Sequence, residues 1–238
     1  MQKLISTAVL GSTGYVGLEL INILSKHPKV IIKFLGSKTF SGESISKFDK
    51  RINDQSLPKI ELIENIDLSN IDVVFLALPH DVSHNYVKKN INKSNIIDLS
   101  ADFRINNSTI YNKIYNTKHS CPDLLDDFVY GLSEIYFDLI KSTNNIAVPG
   151  CYPISILLPL IPLLKNNLIK SDNIIIDSKS GYSGAGKKFD KKNISYNNEL
   201  NFYNYNTNKH RHIYEIYQEL SKYTKKQIKF SFNPHIMP

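Results

Sequence analysis

Ser6-Thr7-Ala8-Val9-Leu10-Gly11-Ser12-Thr13-Gly14-Tyr15-Val16-Gly17 decides the fold. The first five residues read as a short buried strand, and an amphipathic segment, Leu18 to Lys26, reads as a helix after the third glycine. Strand, glycine turn and helix in that order suit a dinucleotide. The first glycine permits the tight turn, the second lets the backbone approach a pyrophosphate, and the third allows helix and strand to pack closely. The spacing is G-x-x-G-x-x-G, not the commoner G-x-G-x-x-G. A plain turn is the alternative for such glycines alone. Their place between strand and helix makes Gly11 through Gly17 the first candidate cofactor residues.

Val30 to Leu35 reads as the second strand and runs into Gly36-Ser37-Lys38. An acidic residue near this strand's end would take the ribose 2′-hydroxyl of NAD. No carboxylate follows until Glu43. A hydroxyl and a cation suit a 2′-phosphate, so Ser37 and Lys38 point to NADP rather than NAD. Thr39 to Asn70 is polar, with a helix and a short edge strand around Glu61-Leu62-Ile63 expected. Asp72 to Pro79 reads as a buried strand, Val82 to Asn90 as a helix and Asn95 to Ser100 as the next strand. Strands alternating with helices imply βαβ units and a parallel sheet, whose ligands bind at the carboxyl ends of the strands. Pro79, His80 and Ser100 to Arg104 fall on that edge. Asn106 to Asp127 reads as irregular or helical, and a helix is expected from Tyr130 to about Lys141.

A strand-like run, Ile146 to Val148, then ends at Pro149-Gly150-Cys151. The long apolar segment Ile154 to Leu164 reads as a helix, so the thiol falls in its first turn. Unpaired backbone N–H groups and the helix dipole favour an anion there, which makes Cys151 a candidate nucleophile. A small buried space-filler is the plainer reading of a lone cysteine. Cys121, in His119-Ser120-Cys121-Pro122, has no such helix start and reads as structural.

The second half opens with a strand, Asn173 to Ser178, running into Lys179-Ser180-Gly181-Tyr182-Ser183-Gly184-Ala185-Gly186-Lys187. Its glycines and serines can cradle a phosphate or a nicotinamide amide, which makes Ser180, Gly181, Ser183 and Gly184 cofactor candidates. Lys188 to Asn208 reads as a polar surface excursion. Lys209-His210-Arg211-His212 leads into a helix to about Tyr223, and Gln227 to Asn233 shows strand alternation. One histidine could act as base and acid for Cys151, while Arg211 or the other histidine holds an anionic substrate. On a helix, residues two apart point to nearly opposite sides, so only one of the two could face the thiol.

The 238 residues suffice for two domains, with the boundary expected between 149 and 150. A net charge of +7 spread over scattered lysines does not form a nucleic-acid stripe. Two cysteines give no disulfide framework, which suits a reducing cytosol, and no metal site is expected. Met1 to Ser6 is not a signal peptide, and Ile154 to Leu164, with Pro159 and Pro162, is too short to span a bilayer. A soluble, cytoplasmic protein is expected, without membrane or nucleic-acid partners.

Several stretches together resemble one family. They are Gly11 to Leu20, Phe75-Leu-Ala-Leu-Pro-His80, Ile97-Asp-Leu-Ser-Ala-Asp-Phe-Arg104, Tyr130-Gly-Leu-Ser-Glu134, Val148-Pro-Gly-Cys-Tyr-Pro153, Ser180 to Lys187, His210-Arg-His212 and Phe232-Asn-Pro-His235. In this order they are similar to the N-acetyl-gamma-glutamyl-phosphate reductases of arginine biosynthesis. Aspartate-semialdehyde dehydrogenases share the fold and the cysteine chemistry, but Asp98 to Arg104 and His210 to His212 favour the arginine enzymes. The resemblance implies a Rossmann-like parallel-sheet domain over residues 1–149 and an α+β catalytic and dimerisation domain over 150–238. It implies NADP as cofactor and a homo-oligomer. Cys151 would attack the acyl phosphate of N-acetyl-L-glutamyl 5-phosphate, and reduction of the thioester would give N-acetyl-L-glutamate 5-semialdehyde. His210 would be the acid/base partner, with His212 the runner-up, and Arg211 and His212 would hold substrate. Ser133 and Tyr214 stand where the family usually has proline. Family chains run on well beyond the Phe-x-Pro-His strand, so a partial second domain with little activity of its own is expected.

Overall fold

The structure, a computed structural model, describes residues 3–187 and 201–238, with the backbone of 195–196 and 199–200. The excursion expected over 188–208 therefore lies partly outside the described residues. Contacts divide the chain into two units. One takes in the chain to Ser108 together with Thr117–Val148, the other Thr109–Asn116 with Pro149–Pro238.

The first unit is built on strands β1 (Ile5–Leu10), β2 (Val30–Ser37), β3 (Ile60–Leu62), β4 (Val73–Leu76), β5 (Asn95–Asp98), β6 (Val129–Tyr130) and β7 (Asn145–Ala147). Its sheet runs in the order β3-β2-β1-β4-β5-β7-β6, with every pairing parallel. Helices α1 (Tyr15–Leu24), α2 (Ser83–Asn90) and α4 (Ser133–Lys141) lie between strands. Successive side chains of a strand face opposite sides of a sheet. Ala8 and Leu10 of β1 accordingly join one core cluster with Phe34, Val74, Leu76 and Val87. Val9 joins the other, with Leu18 and Ile21 of α1 and Leu35 of β2. A parallel sheet covered on both faces reads as near-continuous apolar runs, which is why β1 and β4 lack polar alternation. Strand order reverses between β1 and β4, the place where such sheets open a ligand crevice.

The second unit holds the short helix α3 (Ser108–Tyr115), α5 (Cys151–Lys165), α6 (Ile213–Leu220) and strands β8 (Ile174–Gly181), β11 (Tyr203–Asn204) and β12 (Phe230–Met237). Strands β9 (Ser195–Tyr196) and β10 (Glu199–Leu200) pair with each other. β12 lies between β11, antiparallel to it, and β8, parallel to it from Ile174↔Phe230 to Gly181↔Met237. Leu157 and Ile161 of α5, Ile216 and Leu220 of α6 and Phe232 of β12 are fully buried. No helix among the described residues is long and apolar enough to cross a membrane.

The structure departs from the sequence reading at several points of the fold. The helix expected within 39–70 is only a set of single 3-10 turns, Ile45–Lys47, Ile63–Asn65 and Leu68–Asn70. Asp49, Asp54 and Asp67 each accept the backbone N–H two residues on, a local bond that competes with the helix. The helix expected from Tyr130 starts at Ser133, because Val129 and Tyr130 pair with β7 as β6. Gly131 makes room there, since a Cβ would lie 2.7 Å from the Ile146 side chain. Finally, Ser180 and Gly181 end a strand rather than opening a loop, paired with Ile236 and Met237.

Candidate active site

Each glycine of the first turn has its own geometric reason. Gly11 sits at φ +85, and a Cβ there would lie 2.2 Å from the Ala77 carbonyl oxygen at the end of β4. Gly17, inside α1, would put a Cβ 2.3 Å from the Gly11 oxygen. These two are demanded by the protein itself. At Gly14 a Cβ would meet only the Gly11 oxygen, at an ordinary 3.5 Å. Gly14 is the N-cap of α1 and offers no side chain to cap it. The open side and the uncapped N–H groups of the first turn fit an anion such as a pyrophosphate. Ser12 is buried and its hydroxyl donates to the Gly36 carbonyl at 3.1 Å, tying the turn to β2. Thr13 is half-buried, and Tyr15 and Val16 are exposed. Ser37 closes β2 in a buried position, and Lys38 beyond it is exposed. Pro79 is exposed past the end of β4.

Beside that edge a buried network fixes the exits of β4, β5 and β7. Asp102 accepts the backbone N–H groups of Asp81 (2.9 Å) and His84 (3.0 Å), which secures the start of α2. Asp98 accepts both the N–H and the hydroxyl of Ser100. Burial nonetheless pushes its carboxyl up to about 6. Arg104 donates to the carbonyls of Val148 (2.7 Å) and Leu99 (2.8 Å). Val148 is the residue before Pro149-Gly150-Cys151.

In the second unit, Cys151 is the first residue of α5 and is exposed, whereas Cys121 is buried. Burial pushes the Cys121 thiol up, and its Sγ lies 3.3 Å from the His84 carbonyl it donates to. Gly150 caps α5 without a side chain. The first turn of a helix has no intrahelical acceptors for its N–H groups, and Pro153 has no N–H at all. That leaves the N–H groups of Cys151 and Tyr152 as donors beside the thiol. The N–H of Gly150 is taken by Glu215 Oε1 of α6 at 2.9 Å, with Glu215 buried.

His210 and His212 lead into a helix, as expected, but stand before it. α6 begins at Ile213, with His212 as its N-cap, and both histidines lie in the turn before it. Asn208 clamps this turn to β12: its N–H donates to the Phe232 carbonyl at 2.9 Å and its Oδ1 accepts the Phe232 N–H at 2.7 Å. Both imidazoles are buried, with ring centres 4.7 Å apart. The Tyr152 ring packs against both, at 5.2 and 6.1 Å. The two rings therefore lie side by side, because a turn lacks helical spacing. Burial, with the charge of Arg211, pushes His210 down to about 4. Arg211 is exposed, its guanidinium 5.9 Å from the Tyr115 ring centre. The second glycine stretch also lies in this unit. Ser180 is half-buried, Gly181, Ser183 and Gly184 are exposed, and a 3-10 turn spans Tyr182–Ala185. Gly184 is needed locally, since a Cβ there would come within 2.8 Å of the Ser180 hydroxyl.

Sequence reasoning missed Glu215, Tyr152 and Tyr205. Glu215 shares the buried face of α6 with Ile216, Glu219 and Leu220. An acid on an apolar helical stripe was its available signal. The two tyrosines carried none, because their partners come from distant parts of the chain. Among the described residues no cluster of three or more His, Cys, Asp or Glu is placed to hold a metal.

The chain is similar to known proteins along its length. Residues 6–143 match the semialdehyde dehydrogenase NAD binding domain, and residues 151–238 the semialdehyde dehydrogenase dimerisation domain. The N-acetyl-gamma-glutamyl-phosphate reductase of Ehrlichia ruminantium (strain Gardel) is 46% identical over 241 residues, covering 100% of this chain and 69% of the relative. The enzyme of that name from Alkaliphilus metalliredigens is 44% identical over 239 residues, covering 99% and 68%. Among solved structures, aspartate semialdehyde dehydrogenase II from Vibrio cholerae, complexed with ASA, superposes with a TM-score of 0.67 at 18% identity, over 99% of this chain and 71% of that one. That likeness bears on the fold; the sequence relatives bear on the family. The chain belongs to the N-acetyl-gamma-glutamyl-phosphate reductase family of the semialdehyde dehydrogenases.

Proposed function

We propose that the protein reduces N-acetyl-L-glutamyl 5-phosphate to N-acetyl-L-glutamate 5-semialdehyde, using NADPH and a thioester on Cys151. The observation that carries this reading is the exposed Cys151 at the uncapped start of α5, in a chain of this family. Residues 1–149 are read as the cofactor domain and 150–238 as the catalytic one. The match of 151–238 to a dimerisation domain supports a homo-oligomer.

Cys151, its proton released to solvent at this exposed position, attacks the acyl carbon as the thiolate; a C–S bond forms, the C–O bond to phosphate breaks, and the C–S bond breaks again when the reduced carbon leaves as the aldehyde. A thioester accepts hydride more readily than a carboxylate and holds the reacting carbon in place. The N–H groups of Cys151 and Tyr152 stabilise the oxygen that gains charge as the carbonyl is attacked. His210 supplies a hydrogen bond to the reacting group. Arg211 and His212 hold the anionic parts of the substrate. Gly11, Ser12, Thr13, Gly14, Tyr15, Val16 and Gly17 would hold the pyrophosphate, Ser37 and Lys38 the 2′-phosphate. Pro79, Ser180, Gly181, Ser183 and Gly184 would complete the cofactor's surroundings. NADPH, when bound, supplies the hydride.

The test follows NADPH absorbance with N-acetylglutamyl phosphate and, separately, with aspartyl phosphate. Oxidation with the first and not the second is expected, with loss of turnover in Cys151→Ser. Equal rates with both acyl phosphates, or turnover by Cys151→Ser, would overturn the reading.

A further inference from the structure

The strongest feature that the proposed chemistry leaves unused is a buried chain of hydrogen bonds running away from His210. Its Nδ1 accepts the backbone N–H of His212 at 3.1 Å. A nitrogen that accepts keeps its lone pair, so the neutral ring carries its proton on Nε2. Nε2 lies 3.3 Å from the Tyr205 hydroxyl. That hydroxyl lies 3.2 Å from the Tyr152 hydroxyl, which donates to the His235 carbonyl of β12 at 2.9 Å.

Proton counting leaves one consistent arrangement. A carbonyl only accepts, so the single Tyr152 proton is committed to His235. The Tyr205 proton then goes to Tyr152, and the Tyr205 oxygen accepts Nε2–H of His210. Burial pushes both phenols up, so both keep their protons. Tyr152, Tyr205 and Phe232 pack edge-on around the His210 ring at 5.2, 5.6 and 5.5 Å. Protonating Nδ1 would point an N–H at the N–H of His212, in a buried site already beside Arg211.

We propose that Tyr205, braced by Tyr152, is a positioning residue that holds His210 as a neutral imidazole with its proton on Nε2. This deepens the reading above and rests on it. His210 then serves the reaction as a fixed hydrogen-bond donor rather than as the group that takes the thiol proton. A neutral imidazole donor can polarise an oxygen that is gaining charge.

The experiment labels the histidines with ¹⁵N, assigns His210 by its absence in His210→Asn, and pairs the spectra with kinetics of Tyr205→Phe. In the wild type near neutral pH, His210 should show a protonated Nε2 and an unprotonated Nδ1. In Tyr205→Phe the Nε2–H signal should shift and exchange faster with water. Its kcat should fall by about ten- to a hundredfold, the cost of a buried donor left without its acceptor, while KM for NADPH stays unchanged. Tyr152→Phe should show the same changes in weaker form. A protonated Nδ1 in the wild type would overturn the proposal, as would an unchanged spectrum and kcat in Tyr205→Phe. A wild-type chain that shows the Nε2 proton but no turnover would count against the proposed reaction and leave the positioning intact.

Discussion

Replacing the three glycines of the first turn one at a time by alanine separates what the fold needs from what a ligand needs. At position 11 the methyl would sit 2.2 Å from the Ala77 oxygen and 2.7 Å from its carbonyl carbon, both backbone atoms that cannot swing aside. The left-handed conformation at φ +85 adds about 1–2 kcal/mol for any residue with a Cβ. Overpacking against fixed atoms costs about 1–3 kcal/mol more. Gly11→Ala should therefore lose about 2–5 kcal/mol of stability. Gly17→Ala meets a similar overlap, 2.3 Å from the Gly11 oxygen, but gains about 1 kcal/mol of helix propensity in α1 and should lose less. Gly14 has φ −74 and ordinary clearance, so alanine there should cost at most about 1 kcal/mol, the penalty of a poorer N-cap. The Gly14 methyl would fill the open side of the turn where the pyrophosphate is expected. NADPH affinity should fall on the order of tenfold or more, about 1.4 kcal/mol. Urea unfolding and NADPH fluorescence titration measure the two effects. Gly14→Ala binding NADPH as well as wild type, with Gly11→Ala equally stable, would refute the reasoning.

Three further outcomes are expected. Lys38→Asp should weaken NADP binding by about 1.5–3 kcal/mol and NAD binding much less; equal losses would remove Lys38 from the 2′-phosphate site. Asp98 is fully buried and its carboxyl is pushed from an ordinary 3.8 up to about 6, so the fold favours the protonated form. That contribution is present below about pH 4 and lost as the pH rises through about 6, a change of about 3 kcal/mol. The stability of wild type minus that of Asp98→Asn should fall by this amount between about pH 4 and 7, and a flat difference in urea titrations would contradict it. Glu215→Ala strips the Gly150 N–H of its carboxylate and should cost about 1–3 kcal/mol, while Glu215→Gln keeps an acceptor oxygen and most of the stability. Equal denaturation midpoints for the two variants would argue against that bond.

The sequence carried the parallel sheet because its cues are local. The β1 run, its three glycines and the following amphipathic turn of α1 lie within twenty residues, and periodicity reads such elements directly. The same holds for the helix beginning at Cys151, announced by Pro149-Gly150. Within 39–70 the polar residues chose side-chain-to-backbone turns over a helix, which periodicity does not anticipate. The two-residue strand β6 was hidden because Tyr130 also suits a helix start, and only pairing with β7 decides it. Long-range contacts were the least legible part of the site. Glu215 reaches a backbone N–H 65 residues earlier, and Tyr205 reaches a hydroxyl 53 residues earlier. The close pairing of the two histidines was hidden for a related reason. Asn208 bonds to Phe232 of β12 across 24 residues and holds the turn that carries them ahead of the helix.

The central claim is that the thiol at the start of α5 becomes acylated. Mixing the protein with N-acetylglutamyl phosphate without NADPH, quenching in acid and mapping the peptides by mass spectrometry tests it directly. The account predicts one N-acetylglutamyl group on the peptide bearing Cys151, removable by hydroxylamine and absent from Cys151→Ser. Consumption of NADPH by a protein that never carries this group, or that carries it on Cys121, would contradict it.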